Sequence, residues 1–135
     1  MVKSTSSGNA PNGSARLTLR IDFPGGRLGP GKVELLEHIA RERSISAAAR
    51  AMEMSYKRAW ELVDEMNRMF REPVVMTLPG RNTAGATEVT VFGLRVVALY
   101  RAAERRAGSA AEAAVTELSA AVRAPHRSPR ARKEA

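Results

Sequence analysis

Four consecutive residues, Ser55 to Arg58, bring two hydroxyl groups and two cations together in the stretch MSYKRAW. Lys57 and Arg58 can donate hydrogen bonds to phosphate oxygens or to guanine O6 and N7, and the hydroxyls of Ser55 and Tyr56 suit phosphate oxygens. Serine is also a preferred helix N-cap, so we expect Ser55 to begin a helix whose first turn exposes the other three. These residue types predict a contact with nucleic acid.

A short helix is predicted just before this stretch. Ser46 is a suitable N-cap, and the helix extends from there to about Met52. The alanines inside it are small enough for two helices to cross closely, and Met54 can bury an apolar side chain at the turn between them. Such a pair predicts a helix-turn-helix, in which the second helix enters the major groove with its N-terminal residues nearest the bases.

The second helix is predicted to continue from Tyr56 to about Phe70, because Pro73 then stops it. Trp60 lies in the apolar stripe of this helix, so we expect it in the core rather than stacked on a base. The carboxylates of the helix are spaced for ion pairs with neighbouring cations, which gives them no catalytic role; they are Glu61, Asp64 and Glu65.

The flanking elements are also readable from the sequence. Residues 16–22 alternate in polarity as a strand does, and residues 23–31 predict a turn or loop. A helix starts at Pro30, with Val33, Leu36, Ile39 and Ala40 on one face and Lys32, Glu34, Glu37 and Arg41 on the other. Residues 74–78 and 87–91 predict a β-hairpin, and Thr90 can cap a long last helix that runs to about residue 108.

This order of elements predicts a mainly α fold with a small β component, namely a winged helix-turn-helix with a long C-terminal helix. Two further arginines are candidates for DNA contact. Arg50, near the end of the short helix, can reach a backbone phosphate or pair with Glu53. The hairpin is the predicted wing, and Arg81 in its loop can donate hydrogen bonds to phosphates or to the minor groove.

Charge supports a polyanionic partner. The 135 residues carry 22 Lys and Arg against 14 Asp and Glu, a formal net charge of +8. We expect a disordered segment at residues 1–15, a DNA-binding domain at 16–107, and an alanine-rich segment with a basic, disordered tail at 108–135. The absence of cysteine suits a reducing compartment, and neither a secretory signal nor a membrane-spanning run is visible, so a cytoplasmic protein without a membrane partner is expected.

The stretches SISAAARAMEMSYKRAWELVDEMN and TVFGLRVVALYR resemble the N-terminal DNA-binding domain of the ModE family, the molybdate-responsive transcriptional regulators. The resemblance covers roughly residues 16–107, and MSYKRAWELVDEMN is its most specific part. Full-length ModE proteins continue into paired molybdate-binding domains, for which the residues after the last predicted helix leave no room. We therefore expect a chain that lacks those domains.

The resemblance implies a homodimer that binds double-stranded operator DNA near genes for molybdenum uptake or molybdoenzymes. It assigns DNA contact to Ser55, Tyr56, Lys57 and Arg58. It assigns dimer packing to the last helix, around Phe92, Leu94, Val97, Leu99 and Tyr100. It implies no cofactor and no metal ligand, and an oxyanion effector has no recognisable site in this sequence.

Three alternatives stay open at this point. An enzyme is not expected, since His38 and His126 have no nucleophile or acid in a suitable pattern. A one-domain oxyanion sensor for molybdate or tungstate is the main rival, and a module that docks an acidic protein through its basic tail is another. The last helix is too apolar for one buried face, so either a second subunit covers it or residues 109–122 fold back as a separate helix.

Overall fold

The computed structural model describes residues 14–78 and 86–124 of the chain. In this part, the elements in chain order are β1 (Ile21–Phe23), β2 (Gly26–Leu28), α1 (Pro30–Glu42), α2 (Ile45–Ala51), α3 (Tyr56–Met69), β3 (Val75–Thr77), β4 (Thr87–Val89) and α4 (Val91–Ala120). The two strand pairs, β1 with β2 and β3 with β4, are both antiparallel. The prediction of a mainly α fold with a small β component is confirmed.

The chain divides into two compact units. One is Thr18–Glu104, which contains every element up to the first half of α4. The other contains the described residues 14–17 and 105–124. All the geometry of the candidate site lies within Thr18–Glu104. No helix of the described residues is long and apolar enough to cross a membrane.

The N-terminal strand differs from the prediction. Residues 14–20 have no regular structure, and the strand is confined to β1, which pairs with β2 through Ile21 opposite Leu28. Residues 23–31, predicted as a loop, thus contain a second strand, with Pro24 and Gly25 at the turn. Alternating polarity alone does not make a strand, because its backbone also needs a partner. Here only three residues find one.

Helix α1 buries one lysine that was predicted on its polar face. Lys32 has a relative exposure of 9%, and its Nζ donates to Arg27 O at 2.6 Å and to Glu65 Oε2 at 2.7 Å. The long aliphatic stem of lysine allows this burial while the ammonium group keeps its hydrogen bonds. Lys32 therefore connects α1 to β2 and to α3 at one point, and the polar face on which it was predicted is partly buried.

Helix α2 begins earlier than predicted. Its N-cap is Ser44, whose Oγ accepts a hydrogen bond from Ala47 N at 3.0 Å, and not Ser46. The earlier start puts Ile45 in the core, at 3% exposure. Ser44 also forms an isolated bridge with Ala86, next to β4, so the hairpin is attached at the junction of α1 and α2.

The core of the described residues is one cluster to which every helix contributes. Tyr100 of α4 is 2% exposed, and its hydroxyl donates to Leu19 O at 2.7 Å. Burial raises the pKa of Tyr100 above its ordinary value. Arg101 adds two hydrogen bonds to the carboxylate of Glu37 in α1, at 2.8 and 3.0 Å. These hydrogen bonds raise the pKa of Arg101, and the pair attaches the first half of α4 to α1.

The start of α4 agrees with the prediction and its end does not. Thr90 Oγ1 accepts from Gly93 N at 2.9 Å and donates to Pro73 O at 2.8 Å, so Thr90 is the predicted cap. The helix continues to Ala120, beyond the predicted end near Gly108. Alanine has the highest helix propensity, and it sustains the helix where the apolar pattern is weak. The alternative of a separate helix at residues 109–122 is wrong, because residues 109–120 belong to α4.

Candidate nucleic-acid interface

Helices α2 and α3 pack closely through small residues. Ala48 and Ala49 of α2 and Ala59 of α3 are at most 2% exposed, which confirms that alanines line this contact. Met54 N donates to Ala49 O at 3.0 Å and closes the turn between the helices. Glu53, at the sharpest point of this turn, has a φ of 57°, in the left-handed region that favours glycine. The turn forms there without a glycine.

Ser55 caps α3 as predicted. Its Oγ accepts a hydrogen bond from Arg58 N at 3.0 Å. This bond satisfies one of the backbone N–H groups of the first turn that have no partner within the helix. The three side chains that follow, Tyr56, Lys57 and Arg58, are all exposed. The structure thus brings both cations and the phenol together on the first turn of a helix that packs across α2.

Lys57 is available for an anionic ligand. Its side chain is 84% exposed, and its Nζ lies 3.4 Å from the carboxylate of Glu61, one turn further along α3. Such an exposed pair contributes little free energy, so a phosphate can replace Glu61 as the partner of Lys57. Among the described residues, no carboxylate pairs with Arg58.

Trp60 lies at the surface and not in the core as predicted. It is 36% exposed, and its indole Nε1 donates to Tyr56 Oη at 2.6 Å. Since successive helical residues are about 100° apart, the buried stripe centred on Ala59 and Val63 leaves Trp60 at its edge. The sequence pattern could not distinguish the edge of the stripe from its centre, and the Trp60–Tyr56 hydrogen bond was missed for that reason.

The exposed face of α3 is acidic beyond its first turn. Glu61 and Asp64 lie there, and Asp64 pairs with Arg68 at 2.7 Å. Each of these carboxylates lies beside a cation, Lys57 at 3.4 Å and Arg68 at 2.7 Å, so the surplus of positive charge on α3 lies at its N-terminal end, where no carboxylate of the described residues pairs with Arg58.

One positioning residue was missed by the sequence reading. Asn67 of α3 accepts hydrogen bonds at Oδ1 from Val74 N (2.7 Å) and Val75 N (3.3 Å), and its Nδ2 donates to Val75 O at 3.2 Å. It therefore fixes the start of β3 against α3. A lone amide beside the apolar stripe, just before the helix ends, was the available signal.

The remaining candidates for DNA contact are at different positions. Arg50 is exposed near the end of α2, and within residues 14–78 and 86–124 it forms no ion pair with Glu53. Arg81 lies outside the described residues.

The residues assigned to dimer packing differ in exposure. Leu94 and Leu99 are 52% and 55% exposed, and Val91 precedes them at 85%. Phe92 and Val97 are partly buried against the core, with the Phe92 ring 5.6 Å from that of Phe70. Tyr100 is inside the core of its own chain. Leu94 and Leu99 are thus the members of the set that the surface of α4 offers.

No group of His, Cys, Asp and Glu side chains in the described part of the chain could hold a metal ion.

No protein-family model matches the chain. Curated proteins do match. The molybdenum transport protein ModE of Azotobacter vinelandii is 43% identical over 90 residues, which is 67% of this chain and 33% of that protein. The chain is a homologue of ModE.

Two other relatives widen the comparison. The molybdenum-pterin-binding protein MopB of Rhodobacter capsulatus is 38% identical over 103 residues, covering 76% of this chain and 38% of MopB. The DNA-binding transcriptional dual regulator ModE of Escherichia coli is 37% identical over 71 residues, covering 53% and 27%. The chain spans about a third of the length of these relatives. Their names refer to three activities, namely molybdenum transport, molybdenum-pterin binding and DNA-binding transcriptional regulation.

Proposed function

We propose that this chain is a sequence-specific DNA-binding transcriptional regulator of the ModE type, folded as a winged helix-turn-helix. In this proposal α2 and α3 are the helix-turn-helix, α3 enters the major groove, and the β3–β4 hairpin is the wing. Arg50 contacts a phosphate beside the groove and Arg81 does so from the wing. The similarity to a DNA-binding transcriptional regulator named ModE and to a molybdenum transport protein of the same name supports genes of molybdenum uptake or molybdoenzymes as the targets.

One observation carries the proposal. The first turn of α3 exposes Tyr56, Lys57 and Arg58 together, while the packing of Ala59 and the cap at Ser55 hold that turn rigidly against α2. A helix that presents donors at its N-terminal end and acids further along fits an approach to DNA in which that end alone reaches the bases. The net charge of +8 favours the association.

The proposal includes a homodimer. Leu94 and Leu99 expose apolar area on the first half of α4, and a second copy of the chain would remove that area from water. A dimer with two-fold symmetry presents its two reading helices in inverted orientation, so the operator is an inverted repeat. Its half-sites are spaced by one helical turn, ~10 bp, or a multiple.

The decisive experiment compares two variants of the full chain on operator DNA found by selection from a random library. Lys57→Ala/Arg58→Ala removes both cations of the first turn, and Arg68→Ala removes an exposed cation from the far end of the same helix. Loss of a base-edge contact costs about 1–3 kcal/mol, so we expect the first variant to bind roughly 5- to 150-fold more weakly and the second to bind normally. Equal affinity of wild type and the double variant, with equal melting temperatures, excludes α3 as the reader.

A second candidate function is supported by the similarity to MopB, whose name refers to molybdenum-pterin binding. In that case the chain is a one-domain oxyanion-binding protein. Isothermal titration of the protein with molybdate and tungstate tests it directly. Saturable heat from either oxyanion supports this second function, and its absence together with operator binding supports the first.

A further inference from the structure

An open cleft of about 930 Å³ lies beside the first turn of α3. Its walls are the β1–β2 hairpin, the start of α1 and the side of α3, all within Thr18–Glu104. Four cations, two large apolar side chains and one carboxylate are among the residues that line it; they are Arg20, Arg27, Lys32 and Arg58, then Met54 and Leu62, and Glu65. Of these residues, the function proposed above uses Arg58 alone.

The cations of the cleft outnumber the carboxylates that neutralise them. Lys32 is fully engaged with Glu65, at 2.7 Å. Arg20 and Arg27 share one carboxylate, that of Asp22, at 3.1 and 3.8 Å, and both are more than half exposed. With Arg58 unpaired among the described residues, the cleft carries a surplus of positive charge. Exposed ion pairs are weak, so Arg27, at 3.8 Å from Asp22, can turn to an anionic ligand at little cost. Arg20 donates to both oxygens of Asp22 at 3.1 Å, and it binds a phosphate by exchanging these two hydrogen bonds.

The shape of the cleft selects among anions. It is open along one side and many times larger than a single tetrahedral oxyanion, so an extended anion fits it better. A nucleic-acid backbone has charged phosphates for the exposed arginines of the lining, Arg20 and Arg27. Its sugars, whose C–H groups are apolar, suit the apolar part of the lining at Met54 and Leu62. Arg58 lies both in the lining of this cleft and in the first turn of α3. A DNA strand bound in the cleft would therefore continue past the N-terminal end of α3, which is proposed to read the bases.

We propose that the cleft between the β1–β2 hairpin and α3 binds the sugar–phosphate backbone of duplex DNA beside the site that α3 reads, with Arg20 and Arg27 as its phosphate ligands. This inference rests on the DNA-binding function proposed above. It makes the N-terminal hairpin a second DNA-contacting element. Phosphate contacts position a protein on DNA without reading sequence, so Arg20 and Arg27 add affinity and leave the preferred operator unchanged.

The test is a salt titration of DNA affinity. Each phosphate contact adds about 0.9 to the slope of log K against log salt, so Arg20→Ala/Arg27→Ala should lower that slope by about 1.8. With equal affinity at 1 M salt, this is a loss of roughly 60-fold at 0.1 M salt, on operator and random duplex alike. Arg20→Lys/Arg27→Lys keeps the charges and should keep most of the slope. The matched control, Arg105→Ala/Arg106→Ala, removes two exposed charges from α4 and should leave the slope as in wild type.

Each outcome separates this inference from the function beneath it. If Arg20→Ala/Arg27→Ala binds as wild type does while Lys57→Ala/Arg58→Ala is weakened, the cleft proposal is wrong and the reading role of α3 stands. If wild type itself has no salt-dependent affinity for duplex DNA, the proposed function fails. A saturable heat with inorganic phosphate or molybdate at constant ionic strength, lost in Arg20→Ala/Arg27→Ala while the DNA slope is unchanged, assigns the cleft to a free oxyanion and overturns the proposal.

Discussion

Trp60 Nε1 donates a hydrogen bond of 2.6 Å to Tyr56 Oη, one turn earlier on the exposed flank of α3. An indole N–H can only donate, so the phenol oxygen of Tyr56 is the acceptor and its own hydrogen points elsewhere. Tyr56 is 52% exposed, and Trp60 offers no acceptor for the phenol hydrogen. Trp60 therefore fixes Tyr56 as a donor, which suits a phosphate oxygen or the acceptors at the edges of guanine, adenine N7 and thymine O4.

The first prediction follows from this pair. Tyr56→Phe removes the hydroxyl donor and should weaken operator binding by about 1.5–3 kcal/mol if that donor binds a phosphate, since a hydrogen bond to a charged group contributes that much free energy. Trp60→Phe keeps an aromatic ring but frees the phenol to rotate, so it should weaken binding less. The double variant should bind no more weakly than Tyr56→Phe alone, as measured by fluorescence anisotropy.

This cycle has an internal control. Trp60 is partly exposed, so Trp60→Phe should leave the melting temperature within a few degrees of wild type. Effects of the two substitutions that add fully would show that Trp60 acts on DNA independently of Tyr56.

Two glycines of α4 give the second prediction, because their surroundings are opposite. A Cβ on Gly93 would collide with the backbone oxygen of Val74 and would lie 2.6 Å from Val89 Cγ1, whereas a Cβ on Gly108 would meet nothing within 4 Å. Gly93→Ala should therefore destabilise the fold by about 1–3 kcal/mol, the usual cost of overpacking. Gly108→Ala should stabilise α4 by about 0.5–1 kcal/mol, since alanine is the better helix former.

Urea unfolding followed by circular dichroism measures both variants. A normal midpoint for Gly93→Ala would mean that α4 is not held this close to the β3–β4 hairpin. The comparison is informative because the same chemical change is made in the same helix.

The sequence predicted the parts of the fold that depend on local chemistry. Ser55 and Thr90 were identified as caps because a capping hydroxyl has a distinct sequence context, and the hairpin was identified from two β-type runs around a glycine-containing loop. Two errors are local, because α2 is capped by Ser44 and not Ser46, and α4 continues past Gly108 to Ala120. The burial of Lys32, which was not predicted, concerns a tertiary contact. Whether Lys32 is solvated depends on Glu65, which lies 33 residues away along the chain, and no local pattern contains that information.

The candidate site was predictable to a similar extent. The types of residue in the first turn of α3 were sufficient to identify the surface of Tyr56, Lys57 and Arg58. The cleft lined by Arg20 and Arg27 was not predictable, since β1 and β2 were expected as part of a strand and a loop, and the cleft exists only once the hairpin packs beside α3. A pocket formed by segments distant in sequence has no sequence pattern of its own.

Glu53 gives the third prediction. The left-handed backbone of a non-glycine residue costs about 1–2 kcal/mol of folding free energy, which glycine avoids. Glycine in turn lowers stability by about 0.4–1 kcal/mol, because it gives the unfolded chain more conformational entropy. Glu53→Gly should therefore stabilise the protein by about 0.5–1 kcal/mol. Ala51→Gly, two residues earlier at the end of α2, makes a similar change at a helical position and should destabilise by about 0.5–1 kcal/mol.

The urea midpoints of these two variants should move in opposite directions from that of wild type. If Glu53→Gly also lowers the midpoint, the turn between α2 and α3 is not under backbone strain.

The last prediction concerns the proposed dimer. Leu94 and Leu99 are about half exposed in the single chain, whereas Val97 is partly buried against its core, so substitution of the two leucines tests association with the least damage to folding. Leu94→Glu/Leu99→Glu places two like charges on each subunit at the contact, and burying them unpaired is costly. The variant should be a monomer by light scattering at micromolar concentration, where wild type has the mass of two subunits.

Operator binding decides whether the dimer matters for function. A monomer presents one reading helix, so Leu94→Glu/Leu99→Glu should lose affinity for the inverted repeat and retain weak, salt-dependent binding to a single half-site. Ala114→Glu adds charge to an exposed position further along α4 and should change neither the mass nor the affinity. A wild-type mass of one subunit would refute the dimer. If the Leu94→Glu/Leu99→Glu variant is still a dimer, the subunits associate through a surface other than these leucines. The two-fold symmetry of that dimer would then still predict an inverted-repeat operator.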